Sequence, residues 1–140
     1  MIILDTNVLS EVMKPSPSPR VLRWVGQYPA LLLFTTAITQ AEILYGLELL
    51  PTGKRRNALQ SAAEAMFVEE FAGRILPFDR DAALVFPQIA CAHRAAGRPI
   101  TRFDTQIAAI ARARGAAVAT RNTHDFDGCG IAVLNPWANE

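Results

Sequence analysis

Met1-Ile2-Ile3-Leu4-Asp5-Thr6-Asn7 opens the chain, with three apolar residues running straight into an acid. An unbroken apolar run rich in β-branched residues predicts a strand buried on both faces, as central strands of parallel sheets are. The carboxylate of Asp5 then stands at the strand's C-terminal end, the edge where open parallel sheets bind ligands. Asp5 or Thr6 also suits the cap of a helix over residues 8–13. The two readings are separated by whether other acids converge on Asp5.

Working outward, Leu31-Leu32-Leu33-Phe34-Thr35-Thr36 predicts a second buried strand, and a helix over 38–50 carries Ile43, Leu44, Leu47 and Leu50 at helical spacing. Glu42 lies near its start. Thr39-Gln40-Ala41-Glu42 fits a capping box, but a first-turn side chain after a strand also faces the sheet's ligand edge. A helix over 54–71 follows Pro51-Thr52-Gly53, then a short strand at 74–77 and a helix over 80–96 capped at Asp79. Thr101-Arg102-Phe103-Asp104 starts another helix, ended by Gly115; Asp104 is a cap or a site acid. A fourth strand, 116–120, closes on Thr120 and runs into the polar loop Arg121-Asn122-Thr123-His124-Asp125-Phe126-Asp127. A last strand, 131–136, ends at Pro136. Strand and helix alternate throughout, which predicts an α/β fold with a mainly parallel central sheet and helices on both faces, as one domain over 1–140.

With 140 residues, 51% of them hydrophobic, the chain can bury a substantial core, and disorder is excluded. The net charge of +1 implies no polyanion partner, but its distribution is uneven. Six arginines (94, 98, 102, 112, 114, 121) stand between positions 94 and 121 against one acid, Asp104, which points to a site that meets an anion or to a solvated arginine face. An acid at position 5 breaks any N-terminal apolar leader, and no apolar run is long enough for a membrane span. Cys91 and Cys129 lack metal or redox spacing, as expected of a cytoplasmic protein with reduced thiols. His93 and His124 show no ligand spacing and are expected at the surface.

Asp5, Glu42, Asp104 and the loop from Asn122 to Asp127 share one geometric property. Each follows a strand or opens a helix, so all gather at one edge of a parallel sheet. Carboxylates brought together there repel and hold protons. A hard divalent cation, Mg²⁺ or Mn²⁺, relieves that conflict, prefers carboxylate oxygen and keeps several waters. Held so, it activates water and polarises a phosphoryl group.

Five blocks in order carry a resemblance: Ile3-Leu4-Asp5-Thr6-Asn7-Val8-Leu9-Ser10-Glu11, Ala41-Glu42-Ile43-Leu44-Tyr45-Gly46, Asp104-Thr105-Gln106-Ile107-Ala108-Ala109, Thr120-Arg121-Asn122-Thr123-His124-Asp125-Phe126 and Asn135-Pro136-Trp137. Together they resemble PIN-domain ribonucleases, closest to VapC-type toxins of bacterial toxin–antitoxin pairs in the FitB-like branch. The resemblance spans nearly the whole chain. It implies a three-layer PIN-like fold and an Mg²⁺-dependent endoribonuclease acting on RNA. It further implies a homodimer and a VapB- or FitA-like antitoxin through which alone the protein meets DNA. It makes Asp5 and Asp104 the metal ligands and Glu42 the second acid, with Asn7, Thr120 and Asn122 in support. The family's fourth acid often sits where this chain has Asn122, and Asp125 is the nearest replacement. Arg102, beside Asp104, also departs from the family pattern.

Three rivals remain. A phosphoacceptor receiver domain needs a late lysine, and the second half of this chain has none. A haloacid-dehalogenase-like phosphatase wants an acid where Asn7 stands. A PIN fold that binds RNA or antitoxin without cutting is favoured by Asn122. Trp24, Met66, Phe67 and Phe71 exceed the apolar side chains a core of this size needs, and predict an apolar partner face.

Overall fold

The computed structural model describes residues 1–138. Five strands, β1 (Ile2–Leu4), β2 (Leu33–Thr36), β3 (Ile75–Leu76), β4 (Ala117–Ala119) and β5 (Val133–Leu134), form one sheet in the order β3-β2-β1-β4-β5. All four pairings are parallel, with Ile2 opposite Leu33 on one side of β1 and Ala117 on the other. The opening strand is therefore central, as its uninterrupted apolar run requires.

Parallel neighbours need crossovers, and helices supply them: α1 (Thr6–Val12), α2 (Pro19–Gly26), α3 (Ala37–Glu48), α4 (Lys54–Ala65), α5 (Arg80–Ala95) and α6 (Arg102–Arg114). Side chains alternate across a strand, so β1 feeds two cores. Ile2 and Leu4 join Val8, Leu9, Val21, Ile43, Leu47 and Phe67 on one face, whereas Ile3 joins Ile89, Ile107, Ile110, Val118 and Phe126 on the other. The result is the expected three layers, helix–sheet–helix. Among the described residues no helix is long and apolar enough to cross a membrane.

Four expectations change here. Residues 30–32 wind into a 3-10 turn before β2, so the strand starts later than its apolar run. The helix at 54–71 widens after Ala65 into a π turn, Met66–Glu70, closed by Phe71 N donating to Met66 O at 2.9 Å. That turn sends Met66, Phe67 and Phe71 inward together, and all three are buried. Trp24 packs half-buried against the same core, its ring 4.9 Å from that of Tyr28. The apolar surplus read from these four residues is thus largely core. The exposed large apolar side chains are others, among them Leu31, Leu32, Leu44, Tyr45, Leu49 and Phe103. His93 is buried too, its Nδ1 hydrogen-bonded to the Ile89 carbonyl at 3.1 Å, and is no surface residue. His124 is exposed, 2.7 Å from Asp127.

Candidate active site

β1 ends at Leu4 and α1 begins at Thr6, which leaves Asp5 at the carboxyl edge of the central strand. Its backbone N–H still reaches across to the Ala119 carbonyl at 3.0 Å. The two readings of Asp5 prove compatible. Oδ1 caps α1 by accepting from Thr6 N at 2.7 Å, and Oδ2 accepts from Thr120 Oγ1 at 2.9 Å. Thr120, fully buried at the end of β4, is saturated. Its one hydroxyl proton goes to Asp5, and its two lone pairs accept from Asn7 Nδ2 at 3.2 Å and Asn122 N at 3.1 Å. Asn7 Oδ1 in turn accepts from Arg121 N at 3.2 Å. The supporting residues therefore lock the ends of β1 and β4 around the Asp5 carboxylate.

Glu42 is not the capping-box acid. The cap of α3 is Thr36, whose Oγ1 accepts from Thr39 N at 3.1 Å. Freed from the backbone, Glu42 Oε1 accepts instead from Thr6 Oγ1 at 2.9 Å, which binds it to the turn that carries Asp5. Asp104 is no cap either: Thr101 Oγ1 accepts from its backbone N–H at 3.1 Å, and the Thr101 hydroxyl also partners the Asp104 carboxylate, an effect smaller than that of burial. Gly115, in the left-handed conformation at φ 65°, ends α6.

Asp5, Glu42 and Asp104 come from three elements and line one cleft of about 460 Å³ with Thr6, Asn7, Glu11, Lys14, Arg121, Asn122 and Trp137. Burial raises the pKa of Asp5, and the Glu42 and Asp125 charges add to the rise. Burial also raises Glu42, with Asp104 behind it. Asp104 is pushed up to about 6, again by burial first, then by Asp5 and Asp125. Each acid thus carries the cost of its neighbours' charge.

Among the described residues no group of three or more His, Cys, Asp or Glu closes into a cage for an ion. A hard cation that keeps most of its waters needs only one or two carboxylates. The all-oxygen donor set and its shared surplus of negative charge fit such an ion. Cys129, which the Asp104 charge also reaches, has its thiol pushed up to about 11, mainly by burial, and so stays protonated.

Asn122 lines the cleft but makes no hydrogen bond to Asp104; it contributes its backbone N–H to Thr120. Asp125 lies on a 3-10 turn, Thr123–Phe126, held by its N–H on the Asn122 carbonyl at 3.0 Å. It is exposed and does not line the cleft, although its charge is felt at Asp5 and Asp104. Thr6, Glu11 and Lys14 line the cleft although the sequence pattern does not mark them as site residues. Thr6 was legible, since a hydroxyl between Asp5 and Asn7 must lie on the same edge. Glu11 is buried, 3.2 Å from Lys14 Nζ and accepting from Ser18 N at 3.3 Å, a contact that only the folded loop reveals. Arg121 packs 5.2 Å over the Trp137 ring, and Arg20 Nη1 donates to the Trp137 carbonyl at 2.8 Å.

A pH dependence follows. Asp104 holds its proton more tightly in the folded chain than in the unfolded one, where an aspartate titrates near 4. Folded protein therefore binds more protons across that window, and stability of the metal-free protein falls as pH rises from about 4 to about 6. Thermal denaturation across that range, in the presence of chelator, should show Tm decreasing with pH. Adding Mg²⁺ should reverse the trend, because the ion binds the ionised acids. A metal-free Tm that climbs through the same window contradicts the raised Asp104 pKa.

The sequence pattern of the PIN domain matches residues 2–128. The chain is 42% identical over 137 residues to the VapC ribonuclease Y4jK of Sinorhizobium fredii, with 98% of each chain covered. It is 42% identical to toxin FitB of Neisseria gonorrhoeae, with 98% of this chain and 99% of that one covered. A solved structure of FitAB bound to an IR36 DNA fragment superposes with a TM-score of 0.92 at 41% identity, covering 100% of this chain and 98% of that one.

Proposed function

This chain belongs to the PIN-domain family, and from that membership we propose that it is an Mg²⁺-dependent endoribonuclease, the toxin of a type II toxin–antitoxin pair. The observation that carries the reading is the cleft in which Asp5, Glu42 and Asp104 raise one another's proton affinity. Asp5 and Asp104 would hold the ion, Mg²⁺ with Mn²⁺ as substitute, and the ion would supply Lewis acidity at the phosphoryl oxygen and lower the pKa of a bound water. Glu42, held by Thr6 Oγ1, would take the proton that the attacking water loses, and the ribose oxygen released as the P–O ester bond breaks takes a proton from solvent. Arg121, fixed over Trp137 and joined to no carboxylate among the described residues, binds the phosphate at the rim. Asp125 supplies the charge that Asn122 lacks.

The partner reading rests on a second groove. About 460 Å³ in volume and mainly apolar, it is lined by Met13, Pro15, Ile43, Leu47 and Leu59 and shares Thr6 and Glu42 with the acidic cleft. A VapB- or FitA-like antitoxin seated there covers the acids and brings the toxin to DNA; FitAB, a solved relative, is itself a DNA-bound structure. The exposed Leu44, Tyr45 and Leu49 on and just after α3 suit the homodimer face.

The purified chain is expected to cut single-stranded RNA with Mg²⁺ or Mn²⁺, to stop with EDTA and to resume when metal is restored. RNA or antitoxin binding without cleavage under any divalent ion would establish the non-cutting alternative, which Asn122 favours.

A further inference from the structure

A third cleft, about 650 Å³, lies between α5 and α6, across the first turn of α6 from the acids. Its floor is apolar, with Phe86 and Ile100, and its rim is basic, with Arg94, Arg98 and Arg102. Arg94 and Arg102 form no ion pair among the described residues. Arg98 stands 3.5 Å from Asp127 with both side chains nearly half exposed, a pair that contributes little and yields to a better anion. The ring of His93 is already engaged by the Ile89 carbonyl and, at 3.9 Å, by Cys129 Sγ, so the cleft's free polarity is cationic.

Arg102, Phe103 and Asp104 follow one another around the first turn of α6, at about 100° per residue. Arg102 lines the basic cleft, Asp104 the acidic one, and Phe103, 53% exposed, stands between them. Cation, aromatic ring and carboxylate in that order match the repeat of a nucleic-acid strand, phosphate then base, leading to the bond to be cut. Arginine forks grip phosphate, and bases stack on aromatic faces whatever their sequence.

We propose that the α5–α6 cleft is an RNA-backbone subsite beside the scissile phosphate, with Arg94, Arg98 and Arg102 holding phosphates and Phe103 stacking a base. The inference rests on the ribonuclease reading. An acidic peptide would use the cations but leave the exposed ring unexplained.

The test uses the full chain carrying Asp5→Asn, which binds without cutting, and a fluorescein-labelled mixed-sequence single-stranded RNA followed by anisotropy over a range of salt. Adding Arg94→Gln, Arg98→Gln and Arg102→Gln together should weaken binding by roughly tenfold or more and flatten the log–log salt slope by about 2, from about 0.7 per lost contact. Phe103→Ala should weaken binding by about tenfold with the slope unchanged. Circular dichroism checks that each variant keeps the parent's fold. Wild-type affinity and slope in the triple variant overturn the subsite alone, and so does a triple variant that keeps RNA but loses a co-expressed antitoxin. No RNA binding by the parent at any salt overturns the ribonuclease reading with it.

Discussion

Replacing Asp5 with Asn should lower metal-dependent RNA cleavage by about a thousandfold or more while leaving the fold in place, a loss of about 4 kcal/mol of transition-state stabilisation. The substitution separates the two jobs of this residue. As a cap, Asp5 needs only an oxygen to accept from Thr6 N, and Asn supplies one equally well. The bond from Thr120 Oγ1 is lost, because the single amide oxygen stays with Thr6 N and the amide NH2 then faces a hydroxyl whose lone pairs Asn7 and Asn122 already occupy. What disappears is the charge, held 5% exposed among other acids. Relief of a buried, repelled charge offsets the lost Thr120 bond, so the metal-free protein should keep its fold at neutral pH. The measurement pairs single-turnover cleavage with Mg²⁺ titration and thermal denaturation. Full activity removes Asp5 from the site, and unfolding shows that its role is structural.

Much of this geometry was legible because it depends on local rules. An apolar run without alternation must be buried on both sides, which placed β1 at the centre and Asp5 at its carboxyl edge. Asp104 followed from a helix opening at Thr101-Arg102-Phe103-Asp104 and ended by Gly115, with cap and site acid both open until Thr101 proved to be the cap. Glu42 was found for a mixed reason. Its position on the edge was right, but its capping box was not, because the chain uses Thr36 rather than Thr39. Thr35 and Thr36 can serve as strand or as cap, and local sequence alone does not say where β2 stops. The strand ends at Thr36 as expected and Thr36 itself becomes the cap, while the 3-10 turn at Ala30–Leu32 delays only the strand's start.

The features that escaped depend on packing between distant elements. His93 shares a helix face with Ile89, four residues earlier, so its burial was signalled by spacing, yet the Cys129 that covers it comes from 36 residues away. Met66, Phe67 and Phe71 would spread over about 140° of a regular α-helix, and with the π turn from Met66 to Glu70 all three are buried. Arg121 and Trp137 meet only once β5 has returned alongside β4. The basic cleft combines the two kinds of information. The arginine excess between 94 and 121 was visible as composition, but only the α5–α6 pairing shows which of those arginines share a rim. Arg114 faces Asp79 at 3.4 Å, and Arg112 lies against Gly130, so neither belongs to it.

The fourth acid gives the other large effect. Asp5, Glu42 and Asp104 supply three negative charges, and Asn122, which lines the cleft, supplies none. Asp125 reaches the cluster through its field, raising both Asp5 and Asp104, from a 3-10 turn that begins beside Asn122. Among the described residues its carboxylate accepts no hydrogen bond and joins no ion pair, unlike a loop aspartate that serves its own turn. A free carboxylate so placed is available to a metal-bound water or to the ion's outer shell. Asp125→Asn should then lower metal affinity and cleavage by about 10- to 100-fold, the usual cost of losing an outer-shell partner. Asn122→Asp should be tolerated or raise activity, because it places the charge inside the cleft, and combined with Asp125→Asn it should recover most of the loss. The readouts are Mg²⁺ dependence of cleavage and Mn²⁺ binding in the absence of RNA. A silent Asp125→Asn together with a strongly activating Asn122→Asp would show that the protein works with three acids and that Asp125 takes no part.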